Sequence, residues 1–137
     1  MRLGILLLVL GAASGGALAQ DASGLVGRWY GVDEKQQAGE RIRWIAQFNQ
    51  DGSYKINFES LRDCKLFSRS LHEGHWSLEG NIQVLKLDYY NGQANGSSTR
   101  FELLELTENQ QRYRSLRYNV EYSSRRVDAD FLMPDCS

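Results

Sequence analysis

The chain has 137 residues, which is enough for one domain of ordinary size and too few for two. Its 16 basic and 17 acidic residues give a formal net charge of −1, which argues against a nucleic-acid-binding arm or a polybasic membrane surface. A hydrophobic fraction of 42% is typical of a globular protein and excludes a disordered one.

The N-terminus has the features of a signal peptide. Arg2 supplies a positive start, residues 5–10 form a short apolar run, and residues 17–19 match the small-x-small pattern of a signal-peptidase site. A retained membrane anchor is the alternative, but the apolar run is shorter than the roughly 20 residues that a spanning helix needs. The sequence therefore predicts a signal peptide at 1–19, one domain at 20–137 with no membrane span after cleavage, and a periplasmic or secreted location.

Cys64 and Cys136 are the only cysteines in the chain. In an oxidising compartment an even number of cysteines indicates a disulfide, and two cysteines allow a single intramolecular connectivity. The bridge would close a loop of about 70 residues and stabilise the fold by roughly 4 kcal/mol at most. A metal site would need further Cys or His ligands nearby, so we predict a disulfide and no metal.

Short alternating segments dominate the rest of the chain, and no stretch has the pattern of a long helix. A hairpin is predicted around residues 49–52, where Asn-Gln-Asp-Gly is a turn signal. Apolar and polar residues alternate along both arms, so each arm has one apolar face. The apolar residues are Ile42, Trp44, Ala46 and Phe48 on the first arm and Tyr54, Ile56 and Phe58 on the second.

Further strands are predicted along the chain. Trp76 and Leu78 alternate with polar neighbours, and residues 82–90 form another strand. Residues 91–98 contain Asn-Gly twice and are predicted as a flexible loop, and a last strand is predicted at about 122–131. About eight short strands at this spacing indicate an all-β domain, either a barrel or a sandwich.

A second hairpin is predicted with its turn centred on Asn109 and Gln110. In this register every pair of facing residues is chemically compatible, as cross-strand neighbours usually are. The predicted pairs are Phe101 with Tyr118, Glu102 with Arg117, Leu103 with Leu116, Glu105 with Arg114, and Leu106 with Tyr113.

The sequence carries no motif of a known catalytic site. His72 and His75 are three residues apart, whereas the helical zinc motif needs a spacing of four, so these residues are predicted to form a solvated turn. A Gly-x-Ser-x-Gly nucleophile elbow and a phosphate-binding loop are both absent from the sequence. We therefore predict neither an enzyme nor a cofactor.

Two Gly-x-Trp motifs carry a resemblance to a known family. Gly27 and Trp29 open the domain, and Gly74 and Trp76 repeat the pattern after a Phe-x-x-Asp-Gly turn at residues 48–52. This order resembles small secreted bacterial lipocalin-like (calycin-type) domains. The resemblance implies a single antiparallel up-and-down β-barrel.

The resemblance also implies structural roles for three residues. Trp29 would lie at the closed end of the barrel, after Gly27, and an arginine from a late strand would cover it. Arg126 is the better match by position and Arg117 the second, and a guanidinium packs well on an indole face. The alternative is that Trp29 is simply a buried core residue.

The arginines of the last two strands allow two interpretations. In the first, Arg114 or Arg117 points inward with Tyr113 or Tyr118 and holds a fatty-acid carboxylate, since a guanidinium makes two parallel bonds to a carboxylate. In the second, the arginines lie on the outer face and pair with glutamates, and the predicted register favours this one. The glutamates are Glu102, Glu105 and Glu121.

Two functions of different classes are compatible with such a barrel. The first is an exported binding protein that holds a small hydrophobic or amphiphilic ligand. Its predicted ligand-binding residues are Trp44, Phe48, Tyr54, Phe58, Trp76, Arg114 and Arg117. The second is a protein-interaction module, such as an exported inhibitor or envelope factor, with a filled core, no ligand, and contact loops at 33–40 and 91–98.

Overall fold

The computed structural model describes residues 22–34 and 39–136. A short 3-10 helix, Ala22–Leu25, precedes the strands. Within the described residues the strands are β1 (Gly27–Glu34), β2 (Glu40–Phe48), β3 (Ser53–Arg62), β4 (Lys65–Glu79), β5 (Ile82–Tyr90), β6 (Gln93–Ala94), β7 (Ser98–Leu106), β8 (Gln110–Ser115) and β9 (Glu121–Val127). The predicted signal peptide lies outside the described residues. None of the helical structure in 22–34 and 39–136 has the length and apolarity to cross a membrane.

The strands form one closed antiparallel barrel. Strands β1 to β5 pair in chain order, β7 to β9 continue that order, and β9 returns to pair with β1. The start of β5 pairs with β7 and its end pairs with β6, so β6 and β7 act as one strand interrupted at residues 95–97. The barrel therefore has eight strands in up-and-down order, and the predicted all-β fold class is confirmed.

The two ends of the barrel are built differently. The closed end carries the 3-10 helix and the turns at residues 49–52, 80–81 and 107–109, and Leu25 is fully buried there. The open end carries the β3–β4 turn, the turn after β5, and the loop at residues 116–120 between β8 and β9. Asp33, Ser60 and Tyr118 line the barrel interior at the open end, whereas the 3-10 helix covers the closed end, so from the described residues we infer that solvent enters at the open end.

Alternate residues of β2 and β3 point into the barrel, as the sequence predicts, and five of them are buried in the core. The largest of these side chains, Trp44, depends on a glycine on the neighbouring strand. Gly31 pairs with Trp44, and a Cβ at this position would lie 2.2 Å from the indole ring. A residue with a side chain at position 31 would therefore displace the indole from the core.

The C-terminal segment (residues 128–136) runs along the outside of the barrel from the closed end to the open end. Arg28 on β1 donates hydrogen bonds to the carbonyls of Asp128 and Ala129 at 2.6 and 2.7 Å. The ring of Phe131 packs on Tyr30 with 5.0 Å between centroids. The segment ends in the Cys64–Cys136 disulfide at the β3–β4 turn, so the predicted bridge is confirmed.

The predicted register of the β7–β8 hairpin is wrong. The observed pairs are Phe101 with Ser115, Glu102 with Arg114, Leu103 with Tyr113, Glu105 with Arg112, and Leu106 with Gln111. The turn begins earlier than predicted because Thr107 donates its backbone N–H to the carbonyl of Gln110 at 2.8 Å. A bulge between Leu103 and Glu105 then shifts the register once more.

A double-mutant cycle distinguishes the two registers. The Arg114 guanidinium lies 2.8 Å from the Glu102 carboxylate. Reversing the charge of either residue is expected to destabilise the protein, and reversing both is expected to recover roughly 0.2–1 kcal/mol of coupling in urea denaturation. The same cycle on Glu105 and Arg114, the pair that the sequence predicts, serves as the control and is expected to give no coupling. A coupling for Glu105 with Arg114 and none for Glu102 would contradict the observed register.

Three further predictions about the strands need correction. His72 and His75 do not form a turn, because both lie inside the long strand β4. The last strand ends at Val127 and not near residue 131, because the chain leaves the barrel there to form the C-terminal segment. The predicted loop at 91–98 contains the two-residue strand β6 and the first residue of β7.

Candidate ligand cavity

The barrel encloses a cavity of about 440 Å³. Pockets that hold small molecules usually range from about 300 to 1,000 Å³, so this cavity has room for a small ligand. Much of its wall is apolar and comes from inward-facing residues of the strands. These residues include Ile42, Trp44, Ala46, Phe48, Ile56, Phe58, Leu85, Leu87 and Phe101.

Two glutamines line the cavity, and each has one buried amide atom without a hydrogen-bond partner. Gln83 and Gln111 are each the second residue of a strand that starts at the closed end, and each is only 3% exposed. Gln111 donates from Nε2 to the Ser124 hydroxyl at 2.7 Å, which leaves its Oε1 without a partner. Nε2 of Gln83 also has no hydrogen-bond partner. Buried polar atoms are normally hydrogen bonded, so this pair marks a polar patch that needs a partner.

The phenols and the imidazole in the wall are held in their neutral forms. Burial, with a smaller effect of the Asp88 charge, raises the pKa of Tyr54 to about 12. Burial also raises the pKa of Tyr113 and that of Tyr122. Burial lowers the pKa of His72, whose ring lies 4.6 Å from that of Phe58. At neutral pH these four groups therefore add no charge to the wall.

Four of the predicted ligand-binding residues line the cavity. Trp44, Phe48, Tyr54 and Phe58 all contribute to its wall. Trp76 also faces inward but lies beyond the cavity, at the closed end. Its indole N–H donates to the carbonyl of Asn49 at 3.0 Å, and its ring packs against Phe48 at 5.7 Å between centroids.

Neither Arg114 nor Arg117 lines the cavity. Arg114 lies on the outer face of β8, where its guanidinium pairs with Glu102. Arg117 follows the end of β8, and its guanidinium lies 5.2 Å from the ring centroid of Tyr118. The outer-face interpretation, which the sequence favoured, thus fits the arginines better, and the predicted inward anion site is not formed by these two residues.

Trp29 and Arg126 lie together at the closed end. Trp29 is fully buried, its indole N–H donates to the carbonyl of Leu25 at 2.9 Å, and the Arg126 guanidinium lies 4.3 Å from the ring centroid. Arg126 also donates to the carbonyls of Gly24 and Val26 at 2.8 and 2.7 Å. These hydrogen bonds hold the 3-10 helix against the closed end of the barrel.

Gly27 makes room for this arrangement. Its φ of 132° is one that L side chains rarely adopt, and a Cβ here would lie 2.3 Å from Nη1 of Arg126. The positions of Gly27, Trp29 and Arg126 therefore depend on one another.

Sequence reasoning missed several residues of the cavity wall. Gln83 and Gln111 are polar, and polarity alone predicts the outer face. Their positions in the strands do predict the inward face. Gln83 is two residues before Leu85 and four before Leu87, and Gln111 is two residues before Tyr113, so each glutamine lies on the same inward face as these residues. His72 was missed because it was assigned to a turn.

Residues 22–34 and 39–136 contain no cluster of three or more His, Cys, Asp or Glu side chains suited to a metal ion. No model of a known protein family matches the sequence, and a search of curated proteins returns no match. The eight-stranded antiparallel barrel is consistent with the resemblance to lipocalin-like domains.

Proposed function

We propose that this protein is an exported lipocalin-like binding protein that holds a small hydrophobic or amphiphilic ligand inside its barrel. The observation that carries this proposal is the cavity of about 440 Å³ with its largely aromatic and aliphatic wall. An eight-stranded barrel can be filled by its own side chains or can hold one small molecule, and an open cavity of this size favours the second arrangement. The Cys64–Cys136 disulfide supports an oxidising compartment.

The positions of the three tryptophans provide a test. Trp44 lines the cavity, whereas Trp29 and Trp76 lie at the closed end. Decanol added to the wild-type protein is expected to change the intrinsic tryptophan emission, because an apolar chain would replace water against the Trp44 ring. The response is expected to disappear in Trp44→Phe and to persist in the matched controls Trp29→Phe and Trp76→Phe.

Native mass spectrometry of gently purified protein is the independent measurement, because a retained ligand would add its mass directly. If neither decanol nor other apolar probes change the emission or the melting temperature, and no retained mass is found, the binding function is wrong.

An interaction module is the second candidate, and one observation favours it. The loop at residues 116–120 exposes Leu116, Tyr118 and Val120 at the open end, where their side chains are 47%, 66% and 42% exposed. Neighbouring exposed apolar residues often mark contact surfaces. This candidate expects a filled interior, however, so the cavity makes it the weaker of the two. Persistence of partner binding after the cavity is blocked would support it.

A further inference from the structure

Gln83 and Gln111, near the closed end of the cavity, each have one amide atom without a hydrogen-bond partner, and the two atoms have opposite needs. Nε2 of Gln83 is a donor that needs an acceptor, and Oε1 of Gln111 is an acceptor that needs a donor. The needs are opposite because Gln111 is oriented so that its Nε2 donates to the Ser124 hydroxyl, which leaves Oε1 as the atom without a partner. A group that completes both amides must carry at least a donor and an acceptor.

The placement of these amides gives a direction to the ligand. Both lie near the starts of strands that begin at the closed end, whereas access is from the open end. A polar head that reaches the amides must therefore enter first, and an apolar tail would then lie along the wall formed by Trp44, Ile56 and Leu85.

The charges around the cavity argue against an ionised acidic head. Among the described residues that line the cavity there is no lysine and no arginine, and Asp33 contributes a carboxylate. A carboxylate carried to the closed end would lose its water without gaining a cationic partner, which is strongly unfavourable. A neutral head avoids this cost and still satisfies the amides.

From this geometry we propose that the cavity binds a neutral amphiphile head-first, with an uncharged donor-and-acceptor head group, such as a primary amide, against Gln83 and Gln111. This inference rests on the proposed binding function, since it specifies the ligand of the same cavity. The glutamines act as the specificity-determining residues, and the apolar wall contributes affinity that does not depend on the head.

The test compares decanamide, methyl decanoate and decanoate, which share an apolar tail and differ in the head group. Affinities for the wild-type protein are measured by calorimetry at neutral pH. Decanamide is expected to bind about tenfold more tightly than methyl decanoate, which lacks a donor, and decanoate is expected to bind most weakly. This comparison requires no variant and so does not depend on a mutant folding.

Variants then assign the effect to the two amides. Gln83→Met and Gln111→Met keep nearly the same side-chain length, and each is expected to weaken decanamide binding about tenfold while leaving methyl decanoate within twofold. Gln93→Met, the same change at an exposed position of β6 outside the cavity wall, is the matched control and is expected to leave both affinities unchanged. Without ligand, Gln83→Met is expected to melt at or above the wild-type temperature, because it removes a buried amide N–H that has no partner.

Each outcome decides between the hypotheses. If the three probes bind equally well, or if the glutamine variants weaken all of them alike, the head-first inference is wrong while the binding function stands. This is also the result expected if ordered water alone satisfies the amides. If decanoate binds most tightly, the cavity selects anions and the inference is overturned. If no probe binds the wild-type protein, the binding function itself fails and the inference with it.

Discussion

Replacing Trp29 by alanine is expected to lower the free energy of unfolding by about 3–5 kcal/mol, because a fully buried ring is lost and a cavity is left behind. The change also removes the donor to the Leu25 carbonyl and the ring on which Arg126 packs. Both contacts hold the closed end of the barrel together, so the loss is expected in the upper part of this range. Urea denaturation followed by circular dichroism measures it.

Trp29→Phe is the matched control for this prediction. It keeps an aromatic ring in the same place but removes the indole N–H, so the Leu25 carbonyl loses its partner. A smaller loss of about 1–3 kcal/mol is therefore expected. A loss below roughly 1 kcal/mol for Trp29→Ala would show that the closed end does not depend on this side chain.

Removing the disulfide has the second large expected effect. The bridged cysteines are 72 positions apart, and in the chain-entropy account the double change Cys64→Ser, Cys136→Ser destabilises the protein by about 4 kcal/mol at most. The double variant is preferred to either single one, because a lone cysteine leaves a reactive thiol. Urea denaturation of the variant and of the wild type is the measurement.

Wild-type protein unfolded with a reductant present provides the control. It is expected to have the same stability as the double variant, since both lack the bridge but keep the remaining contacts of the C-terminal segment, such as those of Arg28 and Phe131. Equal stabilities of oxidised and reduced protein would contradict a stabilising role for the bridge.

The sequence correctly predicted which side chains of β2 and β3 point into the barrel, because this depends on a simple rule. Side chains alternate between the two sides of a strand, so Trp44, Ala46 and Phe48 had to share one side, and burial selects the inner one. The rule does not give depth along the barrel axis, which depends on the stagger of neighbouring strands. Trp76 illustrates this limit. It points into the barrel as predicted, but it lies beyond the cavity at the closed end.

The hairpin register could not be predicted from side-chain compatibility alone. Arg112, Arg114 and Arg117 all follow the turn, so glutamates on β7 find an arginine in more than one register. The turn at Thr107 and the bulge after Leu103 decide between them, and neither has a distinctive sequence signal. Compatible charges thus limit the registers without selecting one.

The polar part of the cavity was harder to predict for a different reason. Hydropathy assigns glutamine to the surface, so a buried Gln83 or Gln111 is an exception that only its place in an inward-facing series reveals. Arg114 and Arg117 were candidates for ligand binding because a guanidinium suits a carboxylate, although the predicted register favoured the outer face. Their strand positions instead direct Arg114 outward to Glu102.

The bridge between Cys64 and Cys136 also affects how proteolysis of this protein is detected. Residues 91–98, which are exposed throughout, lie within the length of chain that the disulfide closes. A protease that cuts once in this stretch leaves two pieces that are still covalently joined. The cut protein would migrate as one band on a non-reducing gel and separate into two fragments only after reduction, so an apparently intact sample needs both gels before it is judged uncut.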